Sequence, residues 1–217
     1  MSPLFSATSG SAEVLASIDK SEPPTVTESI VNETVEGKTT KVKWVISKND
    51  QTRQITRKTA TETETISGLT STQRWSLETK EKTLTIYVED DNAIIKVTKD
   101  KQTTSKTLNL NNNKILFPPS FYLKPFVNSN DQKLVAWSIN IKDETLRKMI
   151  FTKLGKETLT INNKDYECIK IEMKPTGFAG VVWKAYYWLD VNNGKFVKYF
   201  GKKGPPGTPD YTIEIAN

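Results

Sequence analysis

No part of the sequence limits the architecture more than the stretch from Val181 to Phe200. Two runs rich in aromatic and β-branched residues, 181–190 and 195–200, flank Asn192, Asn193 and Gly194. That pattern predicts a β-hairpin whose turn uses the positive φ that Asn and Gly tolerate. Strand alternation would put Val181, Trp183, Ala185, Tyr187 and Leu189 on one face, and Val182, Tyr186 and Trp188 on the other with Lys184. Both faces then carry large apolar groups. A sheet wetted on one side would show them on one parity only, so a helix, a second sheet or a ligand must cover the other face.

The rest of the chain follows the same grammar. Val42, Trp44 and Ile46 alternate with Lys41, Lys43 and Ser47, and Leu84, Ile86 and Val88 alternate with Thr83, Thr85 and Glu89. Turn signals around Gly37, Asn49, Gly68, Asp91 and Asp100 recur at the spacing of an antiparallel meander. The Thr-rich segment 51–65 reads as one exposed, charged strand that resists edge pairing. Leu134–Ile141, Leu146–Leu154, Glu157–Ile161, Tyr166–Lys174 and Tyr211–Ile215 read as further strands, the alternative to the second being a helix capped by Asp143 and bearing Leu146, Met149 and Ile150. Pro118 and Pro119 open a short apolar helix or loop bearing Phe121, Tyr122, Leu123 and Phe126, which Pro125 limits to a turn or two. It suits a plug closing one end of the core or a lid over a cleft. A short amphipathic helix over Ala12–Ile18 is stopped by Pro23 and Pro24. The expected fold is therefore all-β: a single strongly curved antiparallel sheet, as a half-barrel or open barrel, with one or two short helices. Residues 1–24 form a leader or tether, and residues 25–217 form one domain.

Composition removes several chemistries. The chain has no His, which excludes Ser-His-Asp and Cys-His catalysis and His-based zinc sites. Its single Cys168 has no internal disulfide partner and reads as a structural thiol. No cofactor or metal site is indicated. Paired carboxylates such as Asp90-Asp91 and Asp143-Glu144 offer a carboxylate-dependent glycan hydrolase as the less favoured alternative, since adjacent acids in turn-like contexts are ordinary turn formers. The net charge of +6 is uneven: residues 1–110 hold 15 basic and 15 acidic side chains, residues 111–217 hold 16 and 10. The second half should therefore make weak, salt-screened contact with anionic surfaces. Lysines interleave with aromatics from Trp183 to Lys203, but no Arg and no nucleic-acid-binding motif accompanies them, so no specific nucleic-acid partner is expected.

The order of patterns from Lys114 to Phe121, through Tyr166–Ile171 and Ala185–Asp190, to Val197–Tyr199 and Tyr211–Ile215 resembles a family of exported bacterial and archaeal β-half-barrel proteins of unknown function. These are similar to the outer-membrane lipoprotein carriers. The resemblance covers the C-terminal half and implies an exported protein, periplasmic or extracellular, that handles an apolar or lipidic ligand. It transfers no catalytic residue. The expected ligand groove is lined by Phe117, Phe121, Tyr122, Phe126, Trp137, Trp183, Tyr186 and Trp188. The competing expectation is a structural or surface-interaction module whose own side chains fill the interior. Oligomeric state is not legible.

Overall fold

A computed structural model describes residues 25–48, 52–59, 63–69, 73–111, 115–116, 119–140, 145–202 and 207–216. The expected helix at 12–18 lies outside the described residues. Fourteen strands form one antiparallel sheet. They are β1 (Thr25–Val35), β2 (Lys38–Lys48), β3 (Thr52–Lys58), β4 (Thr63–Leu69), β5 (Gln73–Glu78), β6 (Lys82–Glu89), β7 (Asn92–Lys99) and β8 (Gln102–Asn109). After the helices α1 (Pro119–Tyr122) and α2 (Lys124–Asn128) come β9 (Lys133–Asn140), β10 (Thr145–Ile161) and β11 (Lys164–Pro175). A third helical turn, α3 (Ala179–Val182), precedes β12 (Ala185–Asp190), β13 (Phe196–Lys202) and β14 (Asp210–Ile215).

The spatial order is β8-β7-β6-β5-β4-β3-β2-β1-β14-β13-β12-β11-β10-β9, so two meanders are spliced where β1 pairs with β14. The sheet is curved and not closed into a barrel. Its outer strands are β8 and β9. β8 is exposed along nearly its whole length and composed mainly of Thr, Ser, Gln, Asn and Lys, a composition that discourages pairing with another chain. At β9 the linker after β8 supplies a parallel bridge from Ile115 to Trp137, and the Leu116 N–H donates to the Trp137 carbonyl at 2.9 Å.

Register assigns the faces. On the inner face, β9 to β12, the helices and the linker before them build one cluster from Leu116, Leu123, Phe126, Val127, Ala136, Met149, Phe151, Ile171, Met173, Ala185, Tyr187 and Leu189, with Phe196 and Tyr199 of β13 packed against it. Trp75, Leu84, Ile86, Val88, Ala93, Ile95, Leu110 and Ile115 build a second, toward β8. Adjacent Ile115 and Leu116 thus belong to different clusters, which makes the linker the seam between them. On the opposite face Ile161, Cys168, Trp188 and Val197 form a smaller cluster.

Several local expectations change. The segment 51–65 is not one exposed strand; it contributes to β3 and β4, both interior to the sheet and paired on each side. A buried carboxylate on β1 demands a cation there, and Arg57 of β3 supplies it. The two strands expected over 146–161 are one strand with a bulge, where pairing with β11 slips between Lys153 and Gly155. Gly155 takes φ +122, and the extra residue swaps the strand's parity. Phe151 therefore faces inward, whereas Leu159 and Ile161 join the outer cluster. Residues Ala179–Val182 are helical, so the strand expected to begin at Val181 begins at Ala185. Proline at 125 opens α2 instead of ending a helix, since its missing N–H is unneeded in a first turn.

Candidate functional site

The inner face between the two apolar clusters is crossed by a row of rings. Tyr187 of β12 packs on Tyr199 of β13 with centroids 5.0 Å apart, and Tyr199 meets Tyr211 of β14 edge-on at 6.1 Å. Gly201 makes this possible, because a Cβ there would lie 2.5 Å from the Tyr199 hydroxyl and 2.8 Å from the Ala185 Cβ. Trp44 of β2 stacks on Phe196 of β13 at 6.0 Å. Phe196 reaches inward through a second bulge, where the β12–β13 register slips between Trp188 and Leu189 and sends Val197 to the outer cluster instead. Tyr187 is buried, but Trp44, Phe196, Tyr199 and Tyr211 are only half-buried, as are Tyr122 of α1 and Trp183 at the edge of the first cluster. The Trp44 Nε1–H is itself enclosed and without an acceptor.

Beyond Tyr211 the row becomes polar. Glu33 of β1 is only 7% exposed, and Arg57 grips it through Nε and Nη2, each at 2.5 Å. The Tyr211 hydroxyl donates to Glu33 Oε2 at 2.9 Å. Arg57 also approaches Glu64 of β4, which accepts from the Trp75 indole at 2.9 Å. The chain of contacts thus runs from the first cluster to the second. The hydrogen bond that Arg57 donates to Glu33 holds the guanidinium charged against the opposing effect of burial. Burial pushes Tyr199 up to about 12, and burial together with the Glu33 carboxylate pushes Tyr211 well above its ordinary value of 10. These hydroxyls stay neutral in ordinary buffers, and the central ion pair is matched within itself. Such a surface suits the holding of an apolar body better than proton transfer.

The helices close the β9–β13 end. Leu123, Phe126 and Val127 are buried in the first cluster, and Lys153 of β10 clamps α2 by donating to the Ser129 carbonyl at 2.5 Å while lying 4.9 Å from the Phe126 ring centroid. Over Leu123–Val127 the segment thus packs as a plug.

The eight residues expected to line one groove are distributed. Tyr122, Phe126 and Trp183 come together in the first inner cluster. Tyr186 and Trp188 lie on the opposite face, because β12 alternates from Ala185, Tyr187 and Leu189; there Trp188 is covered by Lys170 at 5.0 Å and Lys198 at 6.0 Å. Trp137 sits on β9 opposite Lys148. Phe121 lies within α1, with its side chain outside the described residues, as is Phe117. Trp44, Phe196, Tyr199 and the Glu33–Arg57 pair escaped the sequence reading. The alternation of Trp44 marked a strand but not which distant strand it would face.

Asp90 occupies the β6–β7 turn with φ +50, while Asp143 and Glu144 lie outside the described residues. Cys168 is fully buried, donates to the Tyr166 carbonyl at 3.5 Å, and is pushed up to about 11 by burial. The hairpin turn needs positive φ only at Gly194, because the Asp190 side chain accepts from the N–H groups of Asn192 and Asn193. A cleft of about 490 Å³ lies elsewhere, lined by Ile30, Asn32, Lys41, Lys43, Asn162 and Ala216.

No protein-family model matches this sequence, and no curated protein matches it. Solved structures do. A β-barrel-like protein of the domain of unknown function DUF1849 from Brucella abortus aligns over 89% of this chain and 95% of its own, with TM-score 0.61 at 9% identity. The two proteins share a fold. That likeness spans nearly the whole chain, beyond the C-terminal half on which the resemblance was read. Weaker likeness extends to the hypothetical lipoprotein YmcC from Escherichia coli (TM-score 0.39, 11% identity, 87% of this chain and 83% of that one). It also extends to a LolA superfamily protein from Nitrosomonas europaea (TM-score 0.26, 7% identity, 90% and 84%).

Proposed function

We propose that the protein is a non-catalytic, exported binding module that holds an apolar or lipidic ligand against the inner face of its sheet. The ligand would lie over the aromatic row, bounded by Tyr122 and Trp183 at one end and by the Glu33–Arg57 pair at the other. The observation supporting this is the half-burial of Trp44, Phe196, Tyr199 and Tyr211 on the face that also holds the core. Rings that merely completed an interior would be buried as Tyr187 and Phe151 are. Burial of Leu123, Phe126 and Val127 favours the second reading at the plugged end, a filled interaction module with no ligand. Export follows the family resemblance.

Titration with cis-parinaric acid, a fluorescent fatty acid, separates the two readings. Binding should saturate at one or a few sites, quench tryptophan emission, and weaken about tenfold or more in Trp44→Glu, which sets a charge on the apolar surface. No saturable binding would leave the filled module. Turnover of an ester or glycan substrate that vanished in Asp90→Asn would overturn the non-catalytic reading.

A further inference from the structure

The segment joining β11 to β12 is built against the usual rule for helices. Phe178, Val181 and Val182 stand at i, i+3 and i+4, so they share one face of the helical turn, and that face points to water: the three are 84%, 71% and 57% exposed. The turn is well made. Gly180, Val181 and Trp183 donate to the carbonyls of Gly177, Phe178 and Ala179, and Thr176 is tied to the Lys148 carbonyl of β10 at 2.9 Å. A Cβ at Gly180 would lie 2.3 Å from the Pro175 carbonyl oxygen, so only glycine lets the turn sit this tightly on the strand end. A framework of this kind holds three apolar side chains outward, where a core-facing turn would hide them.

The surroundings are basic. Register brings Arg147 and Lys148 of β10, Lys174 of β11, Lys184 before β12 and Lys202 of β13 to the same end of the sheet. The acids among them are Glu172, shared by Lys174 and Lys184 at 3.3 and 3.2 Å, and Asp210, paired with Lys202. Among the described residues, five cations therefore stand against two carboxylates. The half-buried Trp183 sits at the base of the tip.

We infer that α3 is a membrane-contact tip that inserts Phe178, Val181 and Val182 into an anionic phospholipid surface while the surrounding lysines meet its headgroups. Neither part suffices alone. One helical turn offers too little apolar area for firm anchoring, and exposed charge is screened by salt; together they supply the two signals that reversible membrane attachment needs. The inference stands on this tip and not on ligand binding at the inner face.

The test is co-sedimentation of the full chain with vesicles of phosphatidylcholine alone and of an equal mixture with phosphatidylglycerol. Binding should favour the anionic vesicles, and Phe178→Ser/Val181→Ser should lower the partition coefficient about tenfold or more, with an unchanged melting curve because the removed groups make no core contact. Lys174→Gln/Lys184→Gln should remove the preference for anionic lipid. Insertion is read separately by attaching an environment-sensitive fluorophore at Phe178→Cys, since buried Cys168 escapes labelling; its emission should shift to the blue on anionic vesicles. A wild-type protein that ignores both vesicles, a serine variant that binds as well as wild type, or an unshifted fluorophore would each overturn the inference. Unaltered cis-parinaric acid binding by the serine variant would show that the two surfaces are independent.

Discussion

Glu33 shows how much one residue can decide. It is a carboxylate on the apolar face of β1, and the chain answers it with a two-pronged Arg57 and the Tyr211 hydroxyl, drawn from strands on either side of β1 and β2. Desolvation makes such a pair a modest net stabiliser, whereas removing one partner strands the other as a buried charge. Arg57→Met should therefore lower stability by about 3–5 kcal/mol in urea denaturation. Glu33→Gln combined with Arg57→Met should recover most of that loss, since the uncompensated charge has gone. Equal losses in the single and double variants would show that Arg57 acts through packing alone. Little of this was visible beforehand. Arg57 lies in a polar, Thr-rich stretch that reads as surface, and only pairing across β1, β2 and β3 reveals that it faces inward.

At the scale of elements, strands proved readable and their faces less so. Alternation located β2 and β6 because their apolar residues are largely separated by polar ones, whereas β12 was located by its continuous run of apolar and aromatic residues. Alternation failed where the backbone changes parity. Counting by twos from Phe151 would put Leu159 and Ile161 in the inner core; the bulge at Gly155 sends both outward, and the bulge beside Trp188 does the same to Val197. Gly155 gives the check. A Cβ there meets nothing within 4 Å, so only its φ of +122 opposes a side chain. Gly155→Ala should destabilise by about 1–3 kcal/mol through backbone strain, despite the open space. A neutral substitution, measured in the same urea series, would mean that the bulge relaxes freely and does not fix the parity of β10. The groove residues were hard to group for a related reason. Phe126 and Trp188 each read as an apolar ring on a β-rich chain, but one is brought inward by α2 and the other outward by the alternation of β12.

For the whole molecule the open question is whether two spliced meanders behave as one folding unit. The β1–β14 pairing, the Ile115–Leu116 seam and the row from Tyr187 to Trp75 all cross the junction, so we propose one cooperative domain over residues 25–217. Alkaline titration loads that junction through its tyrosines. Burial raises Tyr187 and Tyr199, the latter to about 12, and raises Tyr211 with help from the Glu33 carboxylate; burial also lifts Cys168 to about 11. An acid whose folded pKa exceeds its unfolded value keeps its proton longer in the native state. Unfolding then releases protons, and stability falls as pH rises past the unfolded pKa, near 9 for the thiol and 10 for the tyrosines. Stability should be flat from neutrality to about pH 9 and decline above it. Fluorine NMR of protein labelled with 5-fluorotryptophan can follow Trp75 in one cluster and Trp183 at the other, each resonance assigned by replacement with Phe. Because the titrating rings bridge the clusters, both signals should collapse at the same pH, and Tyr211→Phe should move the two midpoints together. A Trp75 resonance that stayed native after Trp183 had unfolded would divide the chain at the β1–β14 pairing into two units.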